Sequence, residues 1–328
     1  MTAASLPKAE LHLHLEGAIR PKTVLNLAHD NGIALPYQDE GELERALAFD
    51  DFLTFLQLFQ QVNECLAKQE DFERITRELA DDLAAQQVVY AEVRYAPMHP
   101  MRRGLSFDQV TAGVVDGVRT AMREHPGLHL EVICGLTRQF GLEECFDSTR
   151  SAANWLGQGV VGIDIGGDEA GFPAELFKDL YALARAEGLQ VTAHAGEAAG
   201  PESVWAAVKE LGVRRVGHGI RSIEDPELVA YLRGEGITLE VCPTSNIRTK
   251  VAASYRTHPL RRLYDAGVAV TVSSDDPAMF QTNIEREYDV AAGEFGFTEP
   301  ELHDLTRNAI RAGFAPASVR QQLLAGVT

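Results

Sequence analysis

Short β-branched apolar runs alternate along the chain with longer stretches in which apolar residues recur every three or four positions. Eight such runs predict strands, at 9–15, 88–95, 130–136, 160–165, 190–195, 215–219, 237–242 and 268–274. Val88-Val-Tyr-Ala-Glu-Val-Arg and Val268-Ala-Val-Thr-Val are mostly apolar, the pattern of strands covered on both faces of a parallel sheet. Helical spacing runs through 71–85, 107–124, 175–187, 201–211 and 225–234. Gly188, Gly212 and Gly236 stand just past helix ends, where a left-handed cap is least strained. Strand–helix units repeated eight times predict an α/β chain folded as a (β/α)₈ TIM barrel, with a doubly wound sheet as the competing architecture.

The gap between the first two runs is too long for one crossover and holds Phe52-Leu-Thr-Phe-Leu-Gln-Leu-Phe59. Most of these residues fit ordinary core packing. The sharper expectation is a lid of additional helices after strand 1, with Phe52, Phe55 and Phe59 turned toward substrate, because barrel chemistry lies on the loops after the strands. No repeat or linker divides the chain, so residues 1–328 are expected to form one domain.

Composition narrows the partners. With 48 acidic and 30 basic side chains the net charge is −18, which disfavours nucleic acid and anionic membranes. No run reaches the ~18 apolar residues of a bilayer span. The first residues lack the pattern of a secretory signal, and four scattered cysteines (Cys65, Cys134, Cys145, Cys242) contain no C-x-x-C pair. A soluble cytoplasmic protein with buried thiols is the expectation.

The candidate chemistry starts at His12-Leu-His14. Alternate strand residues share a face, so both imidazoles project into a barrel mouth about 6–7 Å apart along the strand. The fifth run ends in His194-Ala-Gly-Glu197, the sixth carries Gly217-His218-Gly219, and the eighth ends in Asp275-Asp276-Pro277. Of ten histidines these four fall at strand ends able to converge; His29, His99, His125, His129, His258 and His303 read as surface or packing residues. Three imidazoles and a carboxylate suit Zn²⁺ with a position open for water. His218 reads equally as a ligand or as a base, and Glu197 as a proton donor to substrate or a solvated loop carboxylate. Asp275 and Asp276 repel each other unless a metal engages one of them, and Gly166-Gly167-Asp168-Glu169 permits close backbone approach to a flat ligand. Gly157-Gln-Gly159-Val-Val-Gly162 precedes a strand, which removes it as a dinucleotide fingerprint. Walker, G-x-S-x-G, H-E-x-x-H and cytidine-deaminase-type patterns are absent from the sequence.

Taken together, these pieces resemble the adenosine deaminase family of metal-dependent amidohydrolases. The matching segments are Leu6-Pro-Lys-Ala-Glu-Leu-His-Leu-His-Leu-Glu-Gly17, Val89-Tyr-Ala-Glu-Val-Arg-Tyr95, Gly162-Ile-Asp-Ile-Gly-Gly-Asp-Glu169, His194-Ala-Gly-Glu-Ala-Ala-Gly-Pro-Glu-Ser203, Gly217-His-Gly-Ile220, Cys242-Pro-Thr-Ser-Asn246 and Ser273-Ser-Asp-Asp-Pro277. The resemblance implies one Zn²⁺ held by His12, His14, His194 and Asp275. It makes His218 the residue that orients and deprotonates the attacking water, and Glu197 the acid that protonates purine N1. Asp276 would contact the base near N7 and the Gly167 backbone N3. The fourth strand has no lysine for a two-metal bridge. The implied reaction converts a 6-aminopurine nucleoside to the 6-oxopurine and ammonia.

One departure stands out. Glu16 occupies the place where the nucleoside enzymes usually have Asp, whose contact is the ribose 5′-hydroxyl. Adenine deaminases share Leu-Glu-Gly but have a Ser-Ser-Glu type sequence where this chain has Gly167-Asp168-Glu169. Deaminases of 6-aminodeoxyfutalosine accept a bulky aromatic acid at 5′; Arg20, Arg102, Arg103 and Arg248 are the cations available to meet one, each otherwise a surface charge. A non-catalytic metal-binding protein is the alternative from another class, but metal storage needs neither Glu197 nor His218.

Overall fold

The computed structural model describes residues 3–48 and 52–327. Among these, nine parallel strand segments follow the predicted runs: β1 Lys8–His14, β2 Val88–Tyr95, β3 His129–Thr137, β4 Val160–Gly166, β5 Gln190–Val191, β6 Ala193–Ala195, β7 Arg215–His218, β8 Thr238–Val241 and β9 Ala269–Val272. Sequence neighbours pair in order from β1 to β5 and from β6 to β9. β5 and β6 are halves of one predicted strand, split at Thr192. There the carbonyl is diverted to Tyr181 Oη (2.7 Å) and the side chain donates to the Arg215 carbonyl (3.2 Å). The Thr192 amide still donates to Ile163 of β4 (3.1 Å), which joins the two halves of the barrel.

The second seam closes around the end of β9. Ser273 Oγ accepts from the Leu11 and His12 amides, Asp275 N donates to the His12 carbonyl (3.0 Å), and His14 N donates to Asp275 O (2.8 Å). With both seams bonded the sheet has no free edge, and the chain is the (β/α)₈ barrel its periodicity predicts. Closure also places the ends of β1, β6, β7 and β9 around one mouth.

The long gap is filled by α1 Pro21–Asp30, α2 Glu40–Ala46, α3 Phe52–Glu64 and α4 Gln69–Ala85. After β2 come the short α5 Met98–Met101 and then α6 Phe107–Glu124, which starts at a reciprocal cap between Ser106 and Gln109. Two predicted helices are modified. The 175–187 segment opens as a 3₁₀ turn at Ala174–Phe177, and the 201–211 segment widens to a π-turn at Ala207–Leu211, closed by Gly212 at φ +68°.

α4 and α6 approach closely because α6 presents glycine. A Cβ at Gly113 would lie 2.3 Å from the Gln69 carbonyl oxygen and 2.9 Å from Phe72 Cβ. Overpacking of this kind costs about 1–3 kcal/mol, against a helix-propensity gain of about 1 kcal/mol, so the overlap wins. Gly113→Ala is expected to lower the urea midpoint. Gly127→Ala, whose Cβ meets nothing within 4 Å, is expected to stay within about 0.5 kcal/mol of wild type.

Candidate active site

His12, His14, His194 and Asp275 converge at the mouth, each offering a ligand atom within 4.8 Å of the others. His12 Nε2 and His14 Nε2 are 3.4 Å apart, and each lies 3.4 Å from Asp275 Oδ1. The His12 and His194 ring centres are 4.4 Å apart, and those of His14 and His194 5.4 Å. On the outer side, His12 Nδ1 faces Glu240 Oε2 at 3.1 Å, and His194 Nδ1 faces Asp164 Oδ2 at 2.9 Å. A carboxylate beside Nδ1 keeps the ring proton there and leaves the Nε2 lone pair facing inward. Imidazole lone pairs and a carboxylate oxygen thus face a common point, an arrangement a cation relieves. The donor set fits a zinc-type ion. A second group, His218, Cys242 and Asp275, also converges, but burial pushes the Cys242 thiol well above its usual pKa and disfavours the thiolate a metal needs.

Arg94 organises the outer carboxylates. It has no exposed surface, and its Nε and Nη2 donate to Asp164 Oδ2 and Glu240 Oε2, each at 2.5 Å, while Nη1 donates to the Leu11 carbonyl. Glu240 also pairs with Arg215 at 2.7 Å, and Arg215 with Glu92 at 2.6 Å. Burial opposes charge on Asp164, but His194 and Arg94 outweigh it and hold the pKa well below the usual carboxylate range.

His218, at the end of β7, turns Nε2 to within 3.5 Å of Glu197 Oε2 and 3.8 Å of Asp275 Oδ2. His218 and Asp275 adopt left-handed backbone at φ +58° and +66°, conformations that cost a non-glycine residue and persist where the surroundings enforce them. Ser245 Oγ donates to Asp275 Oδ2 at 2.7 Å. Burial first, and then Asp275, pushes the Glu197 carboxyl up to about 8, so it retains its proton at neutral pH. The loop carrying Glu197 is pinned from β4. The Glu169 carboxylate accepts from the backbone amides of Gly196 (2.5 Å), Glu197 (3.2 Å), Ala198 (2.7 Å) and Ala199 (3.0 Å), and from Ser203 Oγ.

The cluster forms the floor of a cavity of about 540 Å³. His14, Glu197, His218, Asp275, Asp276, Gly167, Phe55 and Phe59 all line it. Gly167 sits at φ +99°, where a Cβ would lie 2.2 Å from Gln139 Oε1. Phe55 stacks on Phe280 at 5.2 Å, so α3 covers the mouth. The Phe52 side chain lies outside the described residues. Asp276 is buried, with Oδ1 unpartnered.

Glu16 is 1 % exposed, with Oε1 accepting from the amide of Ala96, a residue of the cavity lining, at 2.8 Å and Oε2 buried without a partner. Of the four arginines, Arg102 and Arg103 line the cavity; Arg20 pairs with Asp82, and Arg248 donates to the Leu47 carbonyl. Two histidines read as surface or packing residues do more. His99 lines the cavity between Phe59 and Phe140, and His258 is buried against Asn246. Arg94, Asp164, Glu169 and Glu240 carry no spacing signal of their own; only a charged residue inside an apolar strand hints at the three on β2, β4 and β8.

The adenosine deaminase family model matches residues 7–328. The chain is 37 % identical over 330 residues to an adenosine deaminase of Shewanella denitrificans, covering 99 % of each chain. It is 39 % identical over 321 residues to an adenine deaminase of Rhizobium leguminosarum, covering 98 % of each. Among solved structures, the adenine deaminase of Arthrobacter aurescens superposes with a TM-score of 0.94 at 32 % identity, covering 98 % of both chains. A zinc-bound amidohydrolase from Burkhoderia ambifaria gives 0.89 at 30 %, covering 99 % of this chain and 90 % of that one. This chain belongs to the adenosine deaminase family and is a hydrolytic deaminase.

Because Arg94 is the shared partner of two buried carboxylates, its removal leaves Asp164 without a guanidinium and Glu240 with Arg215 alone. Arg94→Met is expected to lower the unfolding free energy by about 3–5 kcal/mol, read as a fall in urea midpoint at constant slope.

Proposed function

We propose that this member of the adenosine deaminase family removes the 6-amino group of a purine nucleoside, adenosine or 2′-deoxyadenosine, as ammonia, leaving the 6-oxopurine. The reading is carried by the His/Asp cluster at the floor of a cavity of about 540 Å³, with Glu197, whose carboxyl burial pushes up to about 8, beside it. The whole chain, residues 1–328, acts as one catalytic domain.

His12, His14, His194 and Asp275 would hold one zinc-type ion, which when bound lowers the pKa of water to about 7. Asp164 and Glu240 keep the Nε2 atoms of His194 and His12 turned inward for it. Glu197 gives its proton to N1 as C6 is attacked, so the ring never carries full negative charge. His218 Nε2, 3.5 Å from Glu197, orients the attacking water. Asp276 contacts the base near N7, the Gly167 backbone approaches N3, and Phe55 and Phe59 exclude solvent from above.

A second reading rests on the far end of the cavity. His99, Arg102, Arg103 and Phe140 line it; Arg103 donates to the Asn63 and Leu66 carbonyls, while Arg102 pairs with Glu144. Cations and aromatics there favour a nucleoside with an acidic aromatic 5′ substituent, such as 6-aminodeoxyfutalosine.

Ammonia release across adenosine, 2′-deoxyadenosine, adenine, AMP and 6-aminodeoxyfutalosine tests these readings. Adenosine or 2′-deoxyadenosine is expected to give the highest kcat/KM; activity confined to free adenine would exclude a nucleoside substrate. Glu197→Gln is expected to retain its metal while kcat falls about 10²–10⁴-fold, and near-normal turnover would remove Glu197 from the mechanism.

A further inference from the structure

A chain of hydrogen bonds leads from the barrel wall to His218. The Leu260 amide donates to His258 Nδ1 at 3.2 Å. His258 Nε2 stands 3.1 Å from Asn246 Oδ1, and Asn246 Nδ2 stands 3.2 Å from His218 Nδ1. All three side chains are buried: His258 is 3 % exposed, His218 1 % and Asn246 not at all.

Each link dictates the next. A backbone amide can only donate, so His258 Nδ1 accepts and the proton of the neutral ring sits on Nε2. That proton requires an acceptor opposite, which fixes the Asn246 amide with Oδ1 toward His258. Nδ2 must then face His218, and it too can only donate. With Nδ1 of each ring taken as an acceptor, both rings are neutral and carry their proton on Nε2, and burial holds His258 down to about 4.

From this geometry we infer that Asn246 and His258 are positioning residues that set the His218 tautomer, placing its proton on Nε2. The inference deepens the proposed function and rests on its placement of His218 at the attacking water. The resemblance implies two tasks for that residue, orienting the water and taking its proton. A ring with Nδ1 occupied as an acceptor and a proton already on Nε2 has no free lone pair toward the cavity. His218 therefore performs the first of these tasks, orienting the oxygen by donating to it. Neither Asn246 nor His258 touches substrate in this scheme; both act through His218.

The test is ¹⁵N–¹H correlation spectroscopy of the uniformly ¹⁵N-labelled, zinc-loaded enzyme, with His218 assigned by loss of its signals in His218→Gln. A pyrrole-type Nε2 and a pyridine-type Nδ1 are expected. A pyrrole-type Nδ1, alone or at both nitrogens, overturns the inference, and this readout needs no substrate. Asn246→Leu, which removes the donor at similar volume, and His258→Phe, which keeps the edge contact with Phe295 but frees the amide to rotate, test the consequence. Both are expected to mix the His218 tautomers and lower kcat about 10–100-fold, with KM and zinc content unchanged. A mixed tautomer with unchanged kcat would end the positioning role. Should either variant fail to fold, the wild-type spectrum still decides where the proton lies. If Glu197→Gln retains turnover while His218 shows the expected pattern, the proposed acid fails and the tautomer assignment stands.

Discussion

The buried guanidinium of Arg94 is the constraint on which the rest of the site depends. It lies between Asp164 and Glu240, and those carboxylates lie behind His194 and His12. A carboxylate in a barrel interior is costly unless a charge compensates it, and an imidazole takes a defined tautomer only if one nitrogen has a fixed partner. One cation meets both needs: it keeps the carboxylates ionised, and they hold the ring protons on the outer nitrogens. The inward lone pairs follow. Arg215, bridging Glu240 to Glu92, continues the network below the cluster.

Above this layer the fold uses backbone groups in the same way. Glu169 reaches from the β4 loop to four successive amides, so the segment bearing Glu197 is held by a carboxylate with no direct part in the chemistry. Arg138 is its counterpart for carbonyls, donating to His194 at 2.6 Å and Phe172 at 2.7 Å. Two loops from different strands are thus tied by one anion and one cation, each bonded to backbone groups of the opposite kind. The left-handed backbone at His218 and Asp275 belongs to the same economy of position: both side chains reach the common point because the chain turns sharply under them.

How much of this was legible in sequence depended on the residue. His12 and His14 announce themselves through strand parity, and His194, His218 and Asp275 through their places after β-branched runs. His258 and His99 do not, because a histidine in a loop looks alike whether it faces solvent, a cavity or a buried amide. Thr192 gives no sign that it breaks a strand, since its carbonyl partner Tyr181 lies on a helix that packs there only in the folded barrel. Glu16 is legible as part of its motif, but its bond to the Ala96 amide is not, because that partner lies 80 residues along the chain.

By itself the sequence determined the barrel, its eightfold alternation and the residue types at its mouth, because periodicity and strand parity are local properties of the chain. Only the tertiary structure decided which carboxylate backs which imidazole, which way the Asn246 amide points, and that α3 stacks Phe55 on Phe280 over the cavity. Those choices are made by groups from 12 to more than 200 residues apart, each excluding the other's alternatives once burial denies them water. A one-dimensional pattern names the donors and acceptors; it takes a closed barrel to leave each of them a single partner.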